Sequence, residues 1–255
     1  MSRLNKSYLS ITFLIMLIGW GVCLLCSFNG VLLNENKWLY APYLLGGLSP
    51  TIASYLSLKH NNRVTDVKDW LKNIFDFKHS IFSYIMVAIM TILFILPQCF
   101  ISGYQSGAPI FAIFIMIPMM LVGGGLEEAG WRYIFQQELE KDYSFSAATI
   151  IVSIVWWLWH LPLFYIQNVS QYGKNYFAFG LSVLGLSFAM AGIRKSTGSV
   201  WLCVLFHCTV NSLSGIYIIN DNVWGPMASA AVMIISSYVV VKISDKNGKH
   251  FSNTL

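Results

Sequence analysis

The chain has 255 residues, of which 56% are hydrophobic and only 11% charged. Soluble domains carry about 25% charged residues, so a water-soluble globule is excluded and lipid is indicated as the solvent. The net charge of +5 comes from basic residues between apolar runs, which gives no reason to expect a nucleic-acid partner.

Apolar runs recur from Ser10 to Lys242 without a change in composition that marks a second domain, so residues 1–255 read as one membrane-embedded unit. A spanning helix needs about 20 mostly apolar residues. Eight segments qualify, at about 10–28, 38–58, 81–102, 108–126, 144–166, 175–193, 199–219 and 224–243. The first follows Arg3 and Lys6 and could pass for a signal peptide, but its apolar run is long and no A-x-A-like site follows; it is read as a retained span. Five cysteines, an odd number, do not outline a disulfide framework, and Cys23-x-x-Cys26 lies inside the first run as small packing residues. An open sheet is not expected, because lipid cannot satisfy a sheet edge. The fold class expected is all-α, a polytopic bundle of about eight transmembrane helices.

Basic residues mark cytoplasmic loops. With the N-terminus in the cytoplasm, 14 fall inside (Arg3, Lys6, Lys59, Arg63, Lys68, Lys72, Lys78, Arg132, Lys141, Arg194, Lys195, Lys242, Lys246 and Lys249) and 2 outside (Lys37 and Lys174). Both termini are therefore expected in the cytoplasm of a multi-pass protein of the cell membrane. Over 64–77, Val64, Val67, Trp70, Leu71, Ile74 and Phe75 recur at three- and four-residue steps against a polar face. The pattern predicts an amphipathic helix in the cytoplasmic interface, with packing on the bundle end as the alternative. Gly123-Gly124-Gly125 interrupts the fourth run as a kink or a point of close helix approach; no Gly-Lys-Ser/Thr follows to make it a phosphate loop.

Ionisable residues inside spans are costly, and each is a functional hypothesis by default. Glu127 and Glu128 follow the glycine run, and Arg132 lies four residues past Glu128. On a helix Glu128 and Arg132 share a face and can pair, whereas Glu127 points about 100° away. His160 ends an aromatic stretch, and His207 and Asn211 share a face at i, i+4. Each has a structural reading as well: carboxylates marking a span end, an interfacial histidine, an asparagine bonding between helices. Among intramembrane protease patterns, H-E-x-x-H and G-x-G-D are absent, and Ser212-Leu213-Ser214-Gly215 lacks the first glycine of a rhomboid-like G-x-S-G.

The remaining set resembles the CPBP family, the CAAX-protease and bacteriocin-processing membrane proteins also called Abi. Its E-E-x-x-x-R motif is matched by Glu127-Glu128-Ala129-Gly130-Trp131-Arg132, its F-x-x-x-H by Trp156-Trp157-Leu158-Trp159-His160 with tryptophan in place of phenylalanine, and its H-x-x-x-N by His207-Cys208-Thr209-Val210-Asn211. The motif-bearing core is about 108–219. The resemblance implies an intramembrane endopeptidase in which Glu127, helped by His160, activates water, His207 and Asn211 stabilise the oxyanion, and Glu128 and Arg132 orient Glu127. It implies as partners the lipid bilayer and a membrane-associated peptide or protein, such as a CAAX-type protein or a bacteriocin precursor. A metal-free mechanism is favoured; a zinc site built from Glu127, His160 and His207 is the other assignment of these side chains. The alternative function is a non-proteolytic immunity factor or scaffold of the same family. A proton-coupled transporter would call for an internal repeat, which the sequence does not display.

Overall fold

The structure, a computed structural model, describes residues 1–246; Lys249 and the C-terminal end, assigned to the cytoplasm by the charge count, lie outside the described residues. The chain folds almost wholly into helices: α1 (Arg3–Phe28), α2 (Tyr40–Gly47), α3 (Ser49–His60), α4 (Val67–Ile74), α5 (Ile81–Ser102), α6 (Ile113–Met119), α7 (Glu128–Gly130), α8 (Gln137–Leu139), α9 (Phe145–Trp159), α10 (Tyr176–Thr197), α11 (Val200–Ile216) and α12 (Trp224–Lys246). Helix starts follow local chemistry. Ser2, Asp66, Ser80, Ser144, Asn175 and Ser199 each cap an N-terminus by accepting from a backbone N–H three residues on. Gly198, at φ 72°, ends α10 in the left-handed conformation open to glycine.

Four helices, α1, α5, α10 and α12, are long and apolar enough to cross a bilayer. Exposed apolar residues repeat along them at helical spacing, for example Ile85, Ile89, Ile92 and Leu96 on α5 and Ile235, Tyr238, Val239 and Ile243 on α12. These stripes are what a bilayer would cover. The other predicted spans depart from single continuous helices. The segment 38–58 breaks at Leu48 into α2 and α3, with Pro50 in the first turn of α3. The segment 108–126 carries a 3-10 turn, Ile110–Ala112, and the seven residues of α6, which ends just past Pro118 and short of the glycine run. The segment 144–166 is α9 followed by a 3-10 turn, Leu161–Phe164, with Pro162 in its first positions. Beyond the ends of α5 and α11, Tyr104–Ser106 (β1) pairs antiparallel with Tyr217–Ile219 (β2). This corrects the expectation of no sheet: three residues a side at the helix ends avoid the cost that excludes a sheet edge inside lipid.

The amphipathic segment 64–77 is helical over Val67–Ile74 only. Trp70 and Ile74 are buried, the Trp70 indole donates to Ser54 Oγ at 3.0 Å, and Phe75 and Phe77 pack on Trp201 of α11. Its inner face is thus fastened to the bundle, while Val67 and Leu71 remain exposed.

The helices approach through small residues. α10 lies along α12, and a Cβ on Gly192 would come within 2.9 Å of Ser237 Cβ, one on Gly185 within 3.1 Å of Ala230 Cα. In lipid such close packing replaces the hydrophobic drive. Gly192→Ala is therefore expected to lower stability by about 1–3 kcal/mol through overpacking. Gly21→Ala on α1, where nothing lies within 4 Å of the added carbon, should leave stability unchanged or raise it by up to about 1 kcal/mol. Thermal unfolding of the two variants in detergent checks this, and an unaltered midpoint for Gly192→Ala would contradict it.

Candidate active site

The site begins where α6 stops. Residues 120–124 turn the chain back, with the Gly125 and Leu126 amides donating to the carbonyls of Met120 and Leu121 at 2.8 and 2.9 Å. Gly124 has φ 146°, a conformation costly for any residue with a side chain. A Cβ there would also stand 2.5 Å from Asn211 Nδ2 and 2.9 Å from His207 Nε2. The glycine run therefore lets the backbone lie against the polar tips of α11. A 3-10 turn, Gly125–Glu127, then leads into α7, so Glu127 stands at a helix start rather than at the end of a span.

Past α7 the helix widens into a π segment, Trp131–Gln136, before α8. Arg132 is fully buried, so it does not belong among the loop cations; removing it from the inside group leaves 13 of the 14 counted there. Its Nε donates to Glu128 Oε2 at 2.9 Å, as the i, i+4 spacing predicts. Glu128 Oε1 lies 2.8 Å from His207 Nδ1. The outer guanidinium nitrogens reach Gln136 Oε1 and Ser187 Oγ, each at 3.3 Å. Gln136 in turn donates to Glu140 at 2.7 Å and Thr149 at 3.1 Å, and Lys195 pairs with Glu140 at 3.3 Å. Two buried charges are thus matched in a network with few unfilled hydrogen-bond positions, the condition under which burial of ions is tolerable.

Glu127 points elsewhere, into a cavity of about 160 Å³ that it lines together with His160, His207 and Asn211. Several helices converge there: Trp156 comes from α9 and His160 from just beyond it, Val183 and Leu186 from α10, His207 and Asn211 from α11, and Trp20 of α1 and Tyr43 of α2 complete the lining. His160 is the first residue beyond α9, and its Nδ1 lies 2.7 Å from the Trp156 carbonyl that the helix end leaves unbonded. With Nδ1 donating, Nε2 is left as an acceptor. Asn211 donates to the Gly123 carbonyl at 3.1 Å. All six residues singled out in the sequence are brought together: four on the cavity, and Glu128 with Arg132 behind it.

The sequence reading missed two parts. Gln136, Ser187 and Thr149 extend the ion pair into a network, signalled by the four-residue repeat Glu128, Arg132, Gln136, Glu140. Trp156, noted in the sequence only as a departure from the motif, donates its indole N–H to Glu127 Oε2 at 2.8 Å. Among the described residues, no three His, Cys, Asp or Glu side chains are gathered so as to hold a metal ion. His160 and His207 each direct Nδ1 at a protein oxygen and Glu127 directs one oxygen at the Trp156 indole, which leaves Nε2 of each ring and the second Glu127 oxygen for whatever the cavity holds.

This geometry can be set beside known proteins. Residues 108–213, which hold all six site residues, match the model described as type II CAAX prenyl endopeptidase Rce1-like. That segment is similar to the Rce1-like family. The chain is also 28% identical over 232 residues, covering 81% of its own length and 82% of the relative's, to a protein of Methanococcus maripaludis named CAAX prenyl protease 2. The recognition of a CAAX-protease, CPBP-type family from the three motifs therefore holds, and the likeness extends well beyond the Rce1-like segment.

Loss of the buried cation tests the network. Arg132→Met leaves Glu128 with a bare carboxylate oxygen in a fully buried place, and a cost of about 3–5 kcal/mol is expected. Glu128→Gln combined with Arg132→Met should recover a substantial part of it. Unfolding midpoints of the single and double variants measure both, and equal midpoints for the two would refute the pairing as a stabilising element.

Proposed function

We propose that the protein is an intramembrane endopeptidase that hydrolyses a peptide bond in a membrane-associated peptide or protein, using water activated by Glu127. The observation that carries this reading is the convergence of Glu127, His160, His207 and Asn211 on one small cavity with Glu128 and Arg132 behind it. Water held between Glu127 and Nε2 of His160 gives a proton to Glu127 as its oxygen bonds to the carbonyl carbon. The carbonyl electron pair moves to oxygen, and donors from Asn211 Nδ2 and His207 Nε2 receive the charge. For His207 to donate there as well as to Glu128 it carries both ring protons, and Glu128, shared with Arg132, balances that charge. Collapse breaks the C–N bond, and the proton held by Glu127 passes to the departing amine. Donors that act chiefly in the transition state are worth about 2.7–4 kcal/mol each.

The name of the Methanococcus relative points to a prenylated CAAX peptide as the substrate to try first; a bacteriocin precursor or leader is the other membrane-associated class. A non-proteolytic immunity or scaffold role gains nothing from so complete a catalytic arrangement and is not favoured. Glu127→Gln should abolish cleavage of a farnesylated CAAX peptide while the protein stays folded, and Asn211→Ala should reduce kcat about 100-fold or more. Purified protein shown metal-free by elemental analysis should still cleave. Stoichiometric zinc whose removal and return switches activity off and on would overturn the metal-free assignment.

We further propose eight crossings of the cell membrane, with the broken segments α2–α3 and α6–α8 each making one, and with the N-terminus and α4 on the cytoplasmic side. The split of loop cations supports this, as does the exposed apolar rim of α4, suited to an interface. A single cysteine at Glu35 should react with an impermeant reagent in intact cells, whereas one at Asn62 should react only after permeabilisation. The reverse pattern would invert the topology.

A further inference from the structure

Trp156 meets four of the six site residues, Glu127, His160, His207 and Arg132. Its indole N–H donates to Glu127 Oε2 at 2.8 Å, and its carbonyl lies 2.7 Å from His160 Nδ1. Its ring stands 5.4 Å from that of His207, edge to face, with the Arg132 guanidinium 5.4 Å from its centroid. It is 1% exposed, so bulk solvent does not reach the indole. Phenylalanine, which the family motif carries at this position, could supply the carbonyl and the ring contacts but has no donor. The bond to Glu127 is therefore a property of this chain's tryptophan.

We propose that Trp156 is a positioning residue that reserves one carboxylate oxygen of Glu127, leaving Oε1 as the atom that takes the proton from water. Glu128 and Arg132 are committed to each other and to His207, and the buried Trp131 indole, which also lies beside Glu127, makes no hydrogen bond, so the Trp156 bond is what selects the reserved oxygen. With it, the plane of the carboxylate is fixed, and the basic lone pair faces the cavity in one orientation. Fixing a reacting group in this way acts on the chemical step rather than on substrate binding. The inference rests on the protease reading above, and it assigns to this chain a determinant that the phenylalanine motif lacks.

Two measurements separate this inference from that reading. The first needs no turnover. In protein labelled with ¹⁵N-tryptophan, one of the nine indole N–H resonances is assigned by its loss in Trp156→Phe. It should lie downfield as a donor to a carboxylate and move when Glu127 is replaced by glutamine. The second replaces Trp156 with 3-benzothienylalanine, which puts sulfur where the indole has N–H and keeps the ring shape. With the farnesylated CAAX peptide as probe, kcat should fall about tenfold or more, the size of one charge-assisted hydrogen bond, with KM within about twofold. Trp156→Phe should show the same split, so a folding defect in one variant does not mimic the result. An indole resonance indifferent to Glu127→Gln, or wild-type kcat in the benzothienyl protein, would overturn the proposal. A wild-type protein that cleaves nothing while its indole resonance follows Glu127 would overturn the protease reading instead.

Discussion

The carboxylate of Glu128 holds the site together. It is fully buried, and both of its oxygens are taken, one by Arg132 on the same helix and one by His207 on α11. An ion in such surroundings costs several kcal/mol unless opposite charge and hydrogen bonds surround it. That demand dictates much of the local structure. It brings α11 against the 125–139 segment, it requires Gln136 and Ser187 at the far side of the guanidinium, and it fixes His207 about its ring axis. Glu127, one residue earlier, is thereby turned toward the cavity with no opposing cation of its own, left to act on whatever enters.

Irregular backbone does the rest of the positioning. A continuous helix through 108–139 would place Glu127 one turn after another on a smooth cylinder, with no room for α11 to come near. The break at Gly124 lets the backbone approach Asn211 and His207, and the 3-10 turn after it aims Glu127 inward. On the opposite wall, α9 ends at His160, so a ring nitrogen can take the carbonyl that the helix end leaves over. Irregular backbone inside a membrane is tolerable where it is enclosed by protein or lines a cavity; Gly124 and Gly125 are buried, and Val122 and Gly123 line the cavity.

Much of this was legible in the sequence, for a definable reason. An apolar chain has so few polar residues inside its runs that Glu127, Glu128, His160, His207 and Asn211 stand out, and the i, i+4 spacing of Glu128 with Arg132 predicts the pair found. The long helices α1, α5, α10 and α12 were legible because hydropathy averages over a full crossing. The same averaging hid the break at Leu48, since residues on both sides of it are equally apolar, whereas the glycine run itself marked the one at Gly124. The β1–β2 pair, three residues long, carries no period to detect. Trp156 was visible as a departure from the motif, but a difference of one N–H group acquires meaning only when Glu127 Oε2 is found beside it.

The π segment Trp131–Gln136 has a consequence of its own. Residues four apart on an α-helix drift by about 40° around the axis at each step, so a ladder of three such steps would wind away from the face where it began. A π turn takes in more residues and reverses the drift, keeping Glu128, Arg132, Gln136 and Glu140 in one file that ends at Lys195. The protein thus carries one residue more than a regular helix would use, and that residue sets the phase. Deleting any one of the six would restore an ordinary helix with the residues beyond it nearly in place, but it would shorten one four-residue step of the file to three or remove Arg132 or Gln136 itself, breaking the contact between the guanidinium and Gln136. Chain length here is counted to the residue, although nothing in the segment's chemistry distinguishes it from an ordinary helix.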